Sequence, residues 1–273
     1  PSRKYSNWFP AISLSWNKNK WSATLACTNK TKRPNYSSLR NEVQYDNRYL
    51  YEGGNPYLRP CVISNIDLNV VYKWLSLNAG YNYIDKPIIW TSTLYHGKDI
   101  IFQRSLNFSN DQDLYASLVA EPRFGWYNPM FEIDYSQTFL STAGFDIEGI
   151  ASKPSFRLRC NNRFDISKTI KAYLNMKYRT SVHDGLQYTK PYSQMDIRLS
   201  KTFCKEAWQI SLFANDLFRQ SKERWTTYGS RTSITKNCYE YYRCVGLVVR
   251  YRFNTANSKY KGIGAGNAEK NRL

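Results

Sequence analysis

Apolar side chains recur at every second position in five segments of the chain. Ile66, Leu68, Val70 and Tyr72 alternate with Asp67, Asn69 and Val71, and Leu75, Leu77, Ala79, Tyr81 and Tyr83 alternate with Ser76, Asn78, Gly80 and Asn82. The same spacing places Ile170, Ala172, Leu174, Met176 and Tyr178 on one side, Met195, Ile197 and Leu199 on another, and Val245, Leu247, Val249, Tyr251 and Phe253 on a third. A helical period would scatter each set around a cylinder, whereas a strand gathers it on one face. These five segments are therefore predicted strands. Weaker alternation near 11–16, 21–30, 114–122, 130–140, 156–164 and 207–218 raises the expected number to about eleven.

The connections between these strands alternate in length. Short ones fall at Asn17–Lys20, at the join Lys73–Trp74, at Gly125–Pro129, at Ile166–Lys168 and at Lys205–Glu206. Long ones fall near 31–60, 85–112, 141–154, 181–191 and 219–241. Tight turns at one end and large loops at the other characterise barrels of the outer membrane, whose short turns are periplasmic. A soluble sandwich also has one apolar face per sheet, but nothing makes its loops alternate in this way. The expected fold class is all-β, an antiparallel transmembrane β-barrel over residues 1–253, with 254–273 as a polar periplasmic tail.

Parity adds a constraint. If the last strand, about 242–253, runs inward, the first of eleven also runs inward, while single-chain bacterial barrels have even strand numbers. An open sheet in lipid leaves two edges of unpaired backbone groups, each costing several kcal/mol. The chain is thus expected to lack strands at its N-terminal side. It opens at Pro1 without an initiator Met, a basic region or an apolar leader, so targeting signals do not name a compartment.

Composition sharpens this picture. Aromatics are 16% of the 273 residues, and Trp8, Trp16, Trp21, Trp74 and Trp208 fall near strand ends or short turns, where an interfacial girdle is expected. No run approaches 18 apolar residues, which excludes a spanning helix but not spanning strands. The net charge of +18 opens a competing reading, a soluble basic β-protein that binds nucleic acid or another polyanion. Against it, the basic residues are spread along the chain and no nucleic-acid motif accompanies them, so no nucleic-acid partner is expected. The cysteines Cys27, Cys61, Cys160, Cys204, Cys238 and Cys244 show no C-x-x-C and no metal spacing. Cys238 and Cys244 are placed either to bridge a loop or to remain free thiols.

Two segments carry a family resemblance. Arg33-Pro34-Asn35-Tyr36 followed by Gly53-Gly54-Asn55-Pro56-Tyr57-Leu58-Arg59-Pro60 resembles the R-P-x-Y and G-N-P-x-L-x-P loop of TonB-dependent receptor barrels. Tyr251-Arg252-Phe253 resembles the terminal-strand signature of outer-membrane proteins, and Asn215-Asp216-Leu217-Phe218 the close of a penultimate strand. The tail from Ser258 to Leu273 is similar to that of the outer-membrane β-barrel subgroup. The resemblance implies the C-terminal half of a 22-stranded barrel in the Gram-negative outer membrane. It further implies lipid around the wall, a plug inside and an inner-membrane TonB complex that powers uptake of chelated iron, a vitamin or an oligosaccharide. The plug, the N-terminal barrel half and the TonB-engaging segment are not found in the sequence. A small passive or structural outer-membrane barrel is the second reading.

Chemistry for catalysis is sparse, and neither an enzyme nor a cofactor is expected. His96 and His183 fall in different loops, there is no Walker loop and no G-x-S-x-G, and Gly262-x-Gly264-x-Gly266 reads as flexible tail. No metal site is expected. Gly53, Gly54, Asn55 and Pro56 read as a structural loop in which the glycines supply positive φ. Glu132 and Asp134 share a polar face, as paired carboxylates of a glycosidase would, though residues two apart commonly just line a wet lumen. Arg157 and Arg159, with Lys171, Lys177 and Arg179 on the next strand, form a basic lumen stripe. It would attract an anionic ligand or contact acidic plug residues, or simply be solvated.

Overall fold

The computed structural model describes residues 8–96, 98–147, 152–239 and 242–253. The tail similarity and the proposed tail boundary at 254 lie outside them. In chain order the strands are β1(Ala11–Lys18), β2(Trp21–Lys32), β3(Val43–Asn47), β4(Leu50–Gly53), β5(Cys61–Tyr72), β6(Leu75–Asp85) and β7(Ile88–Leu94). Next come β8(Ile101–Asn107), β9(Asn110–Ala120), β10(Tyr127–Thr138), β11(Ser155–Phe164), β12(Ile170–Arg179) and β13(Val182–Asp184). The series closes with β14(Gln187–Thr189), β15(Tyr192–Phe203), β16(Trp208–Asn215), β17(Glu223–Gly229), β18(Thr232–Cys238) and β19(Cys244–Tyr251).

Eleven of them form one antiparallel meander, β1-β2-β5-β6-β9-β10-β11-β12-β15-β16-β19. These coincide with the eleven strands read from alternation, and their short and long connections alternate as expected. β1 and β19 are the sheet edges, and both run toward the short-turn end.

The register aligns the apolar phase of every wall strand. Leu14, Leu25, Leu68 and Ala79 stand side by side on four strands, as do Leu77, Leu118, Ile133 and Leu158 on four more, and Leu199, Leu212 and Leu247 on the last three. This face is bare: Leu14 is 72% exposed, Leu212 53% and Leu247 63%. Aromatics rim it at both ends. Trp21 stacks on Tyr72 and Trp208 lies against Tyr251 near the short turns, while Tyr135 meets Phe156 edge-on near the long loops. Trp8 also lies toward the long-loop end, away from the short turns. Phe156 and Phe164 bound the band on β11, eight residues or about 27 Å apart along the strand. At a tilt of about 40° this gives a band roughly 20 Å high, close to that of an outer-membrane barrel.

Four of the five long connections hold regular structure rather than open loop. They carry eight strands in two four-stranded sheets, β3-β4-β8-β7 and β13-β14-β17-β18. Neither sheet presents a bare apolar face, so the strict alternation that marks the wall is missing from segments such as β17, ERWTTYG. Together they make a canopy over the long-loop end. The buried apolar residues among those described, Leu58, Cys61, Phe102, Phe108 and Leu186, lie in the canopy or, for Cys61, at its junction with β5. Phe108 stacks on Phe145 at 4.1 Å. The two sheets are latched where the Ser92 and Thr232 hydroxyls hydrogen-bond at 2.6 Å and the Ser230 amide donates to the Ser92 carbonyl at 2.9 Å. Gly229 is required there, because a Cβ would collide with Ser92.

Candidate functional site: the lumen wall and its external mouth

Positions out of phase with the bare face point inward, and their charges are sorted by strand. β5, β9 and β10 carry Asp67, Asp111, Asp113, Glu132 and Asp134 inward. β11, β12, β15 and β19 carry Arg157, Arg159, Arg163, Lys171, Lys177, Arg179, Arg198 and Arg250 inward, with Asp196 the acidic exception. Lys30 and Lys32 near the outer end of β2 are the basic exceptions on the other side. One half of the wall is thus acidic and the other basic.

The halves meet between β10 and β11. Arg159 forms an ion pair with Glu132 and reaches Asp134 at 3.4 Å, while Arg157 lies 3.8 Å from Asp134. Ser117 donates to the same Asp134 carboxylate at 2.7 Å. Glu132 and Asp134 therefore belong to one guanidinium network, not to a pair of carboxylates facing across a gap.

The basic stripe divides. Arg179 stands opposite Arg157 and Lys177 opposite Arg159, so these four form one patch. Lys171 is six residues from Lys177, about 20 Å along the strand, and stands opposite Ser200 near the short-turn end. Among the described residues neither Lys177 nor Arg179 has an ion-pair partner. The Arg179 guanidinium lies 5.8 Å from the Tyr192 ring centroid, and its Nε is buried without a hydrogen-bond acceptor.

The acidic half is tied down by Tyr115, which sequence reading passed over. Its hydroxyl donates to Asp67 at 2.5 Å and accepts from Asn65 at 3.2 Å, and Asn78 donates to the same Asp67 carboxylate. Gly80 stands opposite Tyr115, and a Cβ there would meet the phenol. Phasing residues 110–120 would have exposed this signal, because Asp111, Asp113, Tyr115 and Ser117 share the inward face.

At the outer end a cavity of about 520 Å³ lies between the wall and the β13–β14 hairpin. Asp113, Asp134, Arg157 and Arg179 line it from the wall, His183 and Asp184 from the hairpin. Gly185 turns the hairpin at φ 54°, and Leu186 anchors its tip at 3% exposure. Burial, with Lys153 nearby, holds the His183 pKa below its ordinary value. His96 lies in a separate loop, edge-on to Tyr95. Among the described residues no group of His, Cys, Asp and Glu could hold a metal ion, and all six cysteines are free thiols, Cys238 and Cys244 included.

The loop motif is structural for a reason other than the expected one. Neither Gly53 nor Gly54 has positive φ. Each is needed for close approach: a Cβ on Gly53 would lie 2.7 Å from the Phe102 ring, and one on Gly54 would strike the Arg40 carbonyl. Asn55 then joins the segment to β8, donating to the Ser105 carbonyl at 3.2 Å while accepting from the Tyr57 amide at 3.0 Å. Pro56 follows directly in that turn. At the other end of the chain Tyr251 packs between Trp208 and Phe253, 4.5 Å from each, in the short-turn girdle.

The model of the outer membrane protein beta-barrel family matches residues 1–251. Among solved structures, the siderophore receptor PirA from Pseudomonas aeruginosa is similar at a TM-score of 0.61 and 14% identity, over 85% of this chain and 42% of that one. The siderophore receptor PirA from Acinetobacter baumannii gives 0.58 and 14%, over 90% and 41%. The chain therefore spans about two-fifths of the length of these structures, and at this identity the likeness is one of fold. No curated protein matches the sequence.

Proposed function

The chain belongs to the outer membrane protein beta-barrel family, and we propose that it supplies part of the wall and external mouth of an energised outer-membrane receptor for small ligands. It resides in the outer membrane. One observation carries the reading. The apolar face runs bare across all eleven wall strands, while the opposite face is polar and sorted by charge. In water that outer face would be a liability; in lipid it is required. The soluble polyanion-binding reading would have to bury it.

The edges define what completes the wall. β1 and β19 run in the same direction, so a second copy joined edge to edge would pair them in parallel. All-antiparallel closure needs an odd number of further strands, and the N-terminal half of a 22-stranded barrel meets that requirement. A plug within the lumen and a TonB complex reached through it follow from the same reading. The role is non-enzymatic: ligand capture and passage. Chelated iron heads the candidate ligands because the similar folds are siderophore receptors, with vitamins and oligosaccharides beside it.

The test is expression with an outer-membrane signal peptide, with and without the upstream coding region, followed by fractionation and heat-modifiability in detergent. A heat-modifiable membrane band that requires the upstream region supports the reading. A monodisperse product that stays soluble without detergent overturns it.

A further inference from the structure

The 520 Å³ cavity lies across the boundary between the acidic and basic halves of the wall, and its charged groups are unequally committed. Asp134 and Arg157 lie within ion-pair distance of each other, and Asp134 also contacts Arg159. Among the described residues Asp113 accepts only from the Thr138 hydroxyl, at 2.8 Å. Asp184 on the hairpin and Arg179 on the wall have no ion-pair partner among the described residues. A free anion entering here meets Asp113 and Asp184, and a free cation meets Arg179 and Arg157. Each charge alone is opposed by its own kind. A ligand that carries both, far enough apart, is opposed by neither.

The separation can be read from the register. Asp113 and Arg179 are three strands apart, about 14 Å. Asp113 also lies four residues above Ser117, which shares a level with Asp134, Arg157 and Arg179, adding about 13 Å along the strand. Asp184, on the hairpin that packs against β10, lines the same cavity. The Cα atoms of Asp113 and Arg179 are therefore about 19 Å apart. Both side chains reach into the cavity from its two ends, about 3 Å for Asp113 and about 6 Å for Arg179, which shortens the gap between the charges to about 10 Å, the length of about three extended peptide units. The volume suits a ligand of that size.

We propose that this cavity is a subsite for a short zwitterionic peptide, its carboxylate on Arg179 and its ammonium on Asp113 and Asp184. The inference deepens the receptor reading and rests on it. Its test is equilibrium binding of labelled Ala-Ala-Ala to outer-membrane vesicles carrying the assembled wall, with the N-acetyl and C-amide tripeptides and maltotriose as competitors. The free tripeptide binds best, and each cap weakens binding at least tenfold. R179Q abolishes the preference for a free carboxylate, and D184N, in an exposed hairpin, weakens the preference for a free amine. The doubly capped tripeptide binding as well as the free one overturns the proposal, as does maltotriose binding more tightly or no tripeptide binding at all. Heat-modifiability of the same vesicles is read alongside. If it persists while tripeptide selectivity is absent, the subsite fails and the receptor wall stands.

Discussion

Asp216 is fully buried where β16 leaves the wall, with φ 46°, and its carboxylate organises the loop that follows. It accepts the Gln220 and Ser221 amides at 2.9 and 3.2 Å, while its own amide donates to Asp196 at 2.8 Å. D216A would strand those amides and should cost about 2–3 kcal/mol. Urea denaturation of the reconstituted protein, read by proteolysis of the 216–222 loop, checks this. On the bare face, L158R puts a charge on the lipid side at the middle of β11. It should cost about 2–4 kcal/mol, whereas the same change at inward-facing Asn161 should cost far less. The sequence announced the importance of Gly53 and Gly54 but not the physics of either, and it passed over Asp216, which falls between the motif residues Asn215 and Leu217. A glycine needed for close approach and one needed for positive φ are written with the same letter, and only the placement of Phe102 and Arg40 distinguishes them.

Elements that cross the membrane were legible because each is two-faced over eight to twelve residues, and lipid and lumen impose opposite chemistry on alternate positions. Canopy strands were hidden because their residues satisfy neighbours from distant loops, as Ser92 and Thr232 do across 140 positions. That latch is testable. G229A drives a Cβ into Ser92 and should cost about 1–3 kcal/mol, opening the β17–β18 sheet to protease while the wall stays heat-modifiable. In the short turns Lys73 adopts φ 52°. K73G should relieve about 1 kcal/mol of left-handed strain and raise the unfolding midpoint slightly. The hairpin over the cavity should also respond to pH. The pKa of His183 is lowered by burial, so the unfolded segment binds the proton more readily than the folded one. The His183 contribution to hairpin stability is therefore complete above about pH 6.5 and declines as the pH falls below it. Hydrogen exchange over 182–189 at pH 7.5 and pH 5 should show a greater loss of protection at the lower value in the wild type than in H183Q.

For the whole molecule the governing fact is that the wall is an inside-out sheet, with apolar residues outward and charge inward. Net charge hid this organisation. The +18 total says nothing of an acidic wall half facing a basic one, and the division emerges only when every strand is phased and the strands are set in order. The strand order was legible from the alternation of short and long connections. The cavity was not, because it depends on how one hairpin folds back over β10. The most direct test of the inside-out wall is nitroxide scanning of residues 156–163 on β11 in outer-membrane vesicles, with native cysteines replaced and accessibility to oxygen and to a water-soluble nickel chelate compared. The account predicts a period of two, with oxygen favoured at 156, 158 and 160 and the chelate at 157, 159 and 161. An aperiodic profile, or one with the phases exchanged, would contradict it.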